Sequence, residues 1–142
     1  MPIQLQSPEI QAFATGFPLT LLHAGVTLLI LILGAAVYAL LTPHREITLI
    51  RDGNSAAAVS FGGVMVGLSI PLAVSLKAST SVVEIFIWGV ATVAVQLLVF
   101  RLVDFVLRGL PQRIQDGELS AAALLVAAKL ATALILAAAV AA

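Results

Sequence analysis

Apolar residues run along this chain in four long blocks, 17–41, 54–76, 82–107 and 119–142, each set off from the next by a short polar stretch. The hydrocarbon core of a bilayer is about 30 Å thick and takes roughly 20 helical residues to cross, so every block is long enough to span it. A membrane barrel would alternate polar and apolar positions. Here 28–33 and 90–100 are nearly continuous apolar runs, so the pattern predicts helices. The expected fold class is all-α, an integral membrane protein of four helices.

The polar stretches carry the punctuation. Pro43 is expected to stop the first helix. Ile47, Leu49 and Ile50, flanked by charges, form a cluster too short to cross and are expected in the membrane interface. Then comes Arg51-Asp52-Gly53-Asn54-Ser55-Ala56-Ala57-Ala58, where Asp52 or Asn54 can cap the next helix and Gly53 relaxes the turn. Residues 77–81 make a tight second connection, which predicts antiparallel neighbours for the second and third spans. The third connection, 108–118, ends in Asp116-Gly117-Glu118. Residues 1–16, with Pro2, Ser7 and Pro8, read as an irregular lead-in. They carry Glu9 and no Lys or Arg, so the basic n-region of a secretory signal is missing and the first block is kept in the mature protein.

Composition agrees with lipid as the solvent. Of 142 residues 61% are hydrophobic and 10% charged, and the mean hydropathy is +1.15. A water-soluble chain of this length would leave much of that surface wet. The formal net charge of zero gives no electrostatic case for nucleic acid. The absence of Cys removes disulfides, thiolate metal sites and cysteine nucleophiles.

A shift of 64 residues places Gly25 on Gly89, Leu33 on Leu97, Ile50 on Ile114, Asp52 on Asp116, Gly53 on Gly117 and Ala57 on Ala121. The Ile-x-Asp-Gly match at the same place in each half is the informative part. It predicts two parallel two-helix repeats, 17–76 and 77–142, related by an axis along the membrane normal. The first repeat holds Gly53-Asn54, Ala56-Ala57-Ala58, and Gly62-Gly63 through Gly67-Leu68 to Pro71-Leu72-Ala73. On these residues the chain resembles the bacterial inner-membrane family catalogued as domain of unknown function 350, the YjfL-like proteins. The resemblance covers nearly the whole chain. It implies four spans in two units and an inner-membrane location, and it brings no activity, cofactor or catalytic residue. It hints at membrane-stress systems of the phage-shock type. The second repeat departs from the family pattern: Glu118 follows Gly117, Ala127 and Ala131 replace the stripe glycines, and Lys129 stands where the first repeat has Met65.

Ala56, Ser60, Gly63, Gly67 and Pro71 share one helix face, and Gly63-x-x-x-Gly67 lets another backbone approach closely. Ala123, Ala127 and Ala131 present matching spacing on the fourth span. These faces are expected to pack the bundle or an oligomer interface, with a narrow pore lining as the functional alternative. Pro71 interrupts its helix and frees a carbonyl near Gly67, and Ser69 and Ser75 could satisfy nearby polar groups. Lys129 lies about ten residues into the last span, roughly 15 Å deep, beyond comfortable snorkelling. An intramembrane cation should face protein or a water-filled cavity. By depth, Gln96 fits as its partner better than Asp104 or Glu84. Arg101, Asp104 and Arg108 share a helix face and read as an interfacial ion cluster. Glu84 could pair with Lys77. His23 and His44, predicted at opposite membrane faces, make no metal site, and neither a phosphate loop nor a catalytic set emerges.

The candidate functional or packing residues are therefore Asp52, Gly53, Asn54, Gly63, Gly67, Pro71, Asp116, Gly117 and Lys129, with no cofactor and no enzymatic activity expected. The cations Arg45, Arg51, Arg101, Arg108 and Arg113 crowd one side of the membrane. By the positive-inside tendency that side is cytoplasmic and both termini are periplasmic. The expected protein is a homo-oligomeric channel or small-solute conduit. The alternative is a non-conducting scaffold that docks a cytoplasmic membrane-stress protein at its Asp-Gly turns.

Overall fold

The computed structural model describes residues 7–42 and 46–142. Six helices make up the described chain: α1 (Pro8–Leu41), α2 (Glu46–Arg51), α3 (Ser55–Ala78), α4 (Val82–Val106), α5 (Leu110–Gln115) and α6 (Leu119–Ala141). Of these, α1, α3, α4 and α6 are long and apolar enough to cross a membrane. The expected all-α, four-span fold is what the chain adopts. Pro43, His44 and Arg45 lie outside the described residues, as do 1–6.

α1 differs from expectation at its start. The lead-in expected to be irregular through Gly16 is helical from Pro8. Ser7 accepts the Ile10 amide at 3.3 Å, Pro8 takes the first turn and Glu9 sits beside the positive helix end. Those residues read equally well as loop formers and as a capped helix start, and the cap wins. At 34 residues α1 is about 51 Å long. Its first part, 8–22, is exposed almost throughout, and burial against the bundle begins at His23.

α3 is the hub, lying against α1, α4 and α6. Ile30, Tyr38, Val64, Leu68, Leu72, Val93, Leu97 and Phe100 form the core between α1, α3 and α4. A second cluster, Ala56, Ala57, Ile114, Ala121, Ala122 and Leu125, fills the end where α3 and α6 begin, called the turn end below. Leu49 and Ile50 pack on this second cluster. The expected interfacial segment is therefore split: Ile47 faces outward, while its neighbours cover the bundle. Six residues suffice for one and a half helical turns, enough to put two side chains inward and one out.

α3 stays helical through Pro71, which is buried. Ser69 donates to the Val66 carbonyl at 2.7 Å, whereas Ser75 Oγ has no hydrogen-bond partner among the described residues.

Candidate functional site

The two Asp-Gly turns have the same backbone construction. Asp52 N–H bonds Thr48 C=O, Gly53 bonds Ile50 and Asn54 bonds Leu49; Asp116, Gly117 and Glu118 bond Gln112, Ile114 and Arg113 in the same order. This closes the C-terminus of a short helix with a left-handed residue, and Gly53 (φ 87°) and Gly117 (φ 84°) supply it. Asp52 and Asp116 are exposed. The side chain that caps α3 is Asn54, whose Oδ1 accepts the Ala57 amide at 3.0 Å. Its Nδ2 donates to the carbonyls of Ile114 at 2.9 Å and Gln115 at 3.2 Å, satisfying the end of α5. Asn54 thus ties the two turns together.

The stripe on α3 is buried from Ala56 to Pro71, but it serves two neighbours. A Cβ on Gly63 would stand 2.5 Å from Val126 of α6, and one on Gly67 would stand 2.7 Å from Phe100 of α4. The matching stripe on α6 turns the other way: Ala123, Ala127 and Ala131 are exposed, and α6 buries Ala121, Ala122, Leu125, Lys129, Ala133 and Ala137 instead. α3 lies against α1 and α6 has no comparable contact with it, so small residues at like spacing on the two helices acquire different surroundings.

Lys129 is wholly enclosed by its own bundle. Its Nζ lies 2.8 Å from Asp104 Oδ1 and donates to the Tyr38 hydroxyl. Tyr38 in turn donates to Asp104 Oδ2 at 3.1 Å, closing a ring in which α1, α4 and α6 each contribute one group. The ammonium also sits 4.6 Å from the Tyr38 ring centre and 5.7 Å from that of Phe100. Arg101 approaches Asp104 Oδ2 from the surface at 3.4 Å. Glu46, buried at the start of α2, accepts from Ser60 Oγ at 3.4 Å. Its carboxylate acts electrostatically on Lys129 and Tyr38. Two cations and two anions therefore balance in this region, which is what makes a desolvated charge tolerable in lipid.

Asp104 replaces Gln96 as the partner of Lys129. Counting residues from helix ends misjudged the depths because the ends are not level. Gly63 meets Val126 and Gly67 meets Phe100, so Phe100 stands about 6 Å, one helical turn, above Val126. Asp104 is one turn back down α4, level with Gly63, and Lys129 is only about 4.5 Å above it. Side chains lean toward the N-terminus of their helix, so in antiparallel α4 and α6 these two lean toward each other. Gln96 donates to Thr132 Oγ1 at 3.4 Å, one turn further from the turn end. Of the expected interfacial cluster, Arg101 keeps Asp104 as its partner although Asp104 is buried, while Arg108 lies over the Phe105 ring at 5.3 Å. Glu84 engages Thr80, not Lys77, accepting its amide at 2.7 Å and its hydroxyl at 3.1 Å.

Tyr38 and Glu46 escaped the sequence reading. Tyr38 is the single tyrosine of the chain, inside an apolar block and near the same end of the bundle as Asp104. That was an available signal. Glu46 carried none, because a carboxylate in a connection is ordinarily solvated. Among the described residues no group of three His, Cys, Asp or Glu could hold a metal ion.

The comparisons with known proteins agree with this architecture. The model of the family described as Domain of Unknown Function (DUF350) matches residues 12–140. The chain belongs to that family. It is 34% identical over 97 residues to the UPF0719 inner membrane protein YjfL of Escherichia coli K12, covering 68% of this chain and 72% of the relative. The YjfL of Escherichia coli O157:H7 matches to the same extent. No solved structure matches. With its four apolar helices, this membership makes the chain a multi-pass inner-membrane protein.

Proposed function

We propose that the protein is a non-conducting membrane scaffold built from two parallel repeats, which presents its turn end to a partner at the cytoplasmic face. One observation carries the reading: Lys129 is enclosed within a single bundle and paired with Asp104, so the residue that motivated a conduit is used internally. Phe100 packed into the gap left by Gly67 fills the space that a path past Lys129 would need. The turn end, by contrast, is built to hold its shape, with Asn54 clamping α5 and Glu46 bonded to Ser60. Shape held at one end suits docking. A membrane-stress protein is the partner class that the family resemblance suggests, and the arginine bias puts the turn end in the cytoplasm.

Homo-oligomerisation through small-residue faces now rests on Ala123, Ala127 and Ala131, since Gly63 and Gly67 are occupied inside the protomer. The test is reconstitution into proteoliposomes with measurement of proton, cation and small-solute flux. The expected flux is that of protein-free vesicles, and a flux abolished by Lys129→Met would restore the conduit. The chain has no cysteine, so single cysteines at Asp52, Asp116 and Thr80 report sidedness directly. Labelling of 52 and 116 from the periplasm in intact cells would overturn the orientation.

A further inference from the structure

α1 and α4 both run toward the turn end and leave a furrow between them. It holds a cleft of about 340 Å³ whose lining is wholly apolar, with Leu33 and Val37 of α1 facing Val90, Ala94 and Leu97 of α4. The lining runs from Val26 to Val37 and from Phe86 to Leu97, about 16 Å of each helix. That is about half of the roughly 30 Å hydrocarbon core, so the cleft has the length of one leaflet.

The charges on α4 show which leaflet. Between Glu84 and Arg101 the helix carries no charged residue. This stretch is about 26 Å long, close to the thickness of the hydrocarbon core, so Arg101 marks the membrane interface at the turn end. Val90, Ala94, Leu97 and Arg101 fall on one helix face, which places Arg101 one turn beyond the end of the cleft.

Two guanidinium groups border that end. Arg101 Nη1 donates to Asp104 Oδ2 at 3.4 Å, and its side chain stays 38% exposed. This is one long contact for a group with five N–H donors, and Asp104 is already engaged by Lys129 at 2.8 Å and by Tyr38 at 3.1 Å. Arg108, just past α4, lies over the ring of Phe105, one turn from Arg101, and makes no ion pair among the described residues. An apolar slot of leaflet length with two exposed cations at its interfacial end matches a lipid whose headgroup is negative. Guanidinium forks fit phosphate oxygens, and basic groups at the interface draw anionic lipids. We propose that the α1–α4 cleft holds one acyl chain of an anionic phospholipid whose phosphate is bound by Arg101 and Arg108.

The test is native mass spectrometry of the full chain in detergent, titrated with phosphatidylglycerol and with phosphatidylcholine of the same acyl chains. One phosphatidylglycerol per protomer should be retained at a concentration roughly twentyfold lower than phosphatidylcholine requires, and Arg101→Gln and Arg108→Gln should each reduce that preference about fivefold. Arg108 lies outside the Lys129 network, so its variant decides the matter should circular dichroism show that Arg101→Gln does not fold. Ala94→Phe fills the cleft with both cations intact and should weaken retention of phosphatidylglycerol. Glycerophosphoglycerol, the same headgroup without chains, should not displace the lipid. Equal retention of the two lipids, a preference undiminished in the arginine variants, unchanged retention by Ala94→Phe, or displacement by the chain-free headgroup would each overturn the proposal.

Discussion

The two Asp-Gly turns share a backbone and differ in the residue after the glycine. Next to Gly53, Asn54 both accepts and donates, capping α3 through Oδ1 and closing α5 through Nδ2. Next to Gly117, Glu118 can only accept; it makes no capping bond and reaches back to Arg113 Nε at 2.5 Å on the surface. A similar contrast appears within the spans at two positions 64 apart, where Met65 faces outward and Lys129 is enclosed. A shared backbone pattern sets the shape of each turn, while the residue after the glycine decides which turn is tied to the other.

The largest expected effect comes from the enclosed cation. Lys129→Met leaves Asp104 buried without its ammonium and should destabilise the bundle by about 3–5 kcal/mol in denaturant unfolding from detergent. Adding Asp104→Asn to that variant should recover a large part of the loss, because the uncompensated charge is gone; no recovery would mean that Lys129 acts through packing alone. Next come the small-residue faces. Gly63→Leu drives a side chain into Val126 and should cost about 1–3 kcal/mol, whereas Ala127→Leu at the equivalent outward position should change stability little in the same assay.

Between the turns, Asn54→Ala should lower stability by about 1–2 kcal/mol, from a lost cap and lost bonds to α5. Glu118→Ala removes an exposed ion pair and should lower it by less than about 0.5 kcal/mol. Equal losses would erase the asymmetry between the turns. The smallest expected difference is between Gly53→Ala and Gly117→Ala. Both positions have left-handed backbone, so each change should cost about 1 kcal/mol.

Much of the fold was legible because the bilayer sets a length scale that composition alone can meet. The spans 82–107 and 119–142 differ from α4 and α6 by one residue at one end. The glycines of the turns were legible as well, since a left-handed residue after a short helix calls for glycine. The candidate site was half legible. Lys129 stood out because a cation in an apolar block is anomalous wherever it points. Its partner did not, and neither did Tyr38 or Glu46.

What the sequence determined by itself was the number and extent of the spans, the shape of the two turns and the presence of one charge that must be compensated. Length, hydropathy and backbone conformation are local properties, and they need no neighbour to be read. What only the tertiary structure decided was the level of each helix against the next and the face each presents. The glycine contacts of α3 set how far α4 and α6 slide along it, and that slide brings Asp104, Tyr38 and Lys129 together. The neighbours around each helix left the small-residue stripe facing inward on α3 and outward on α6.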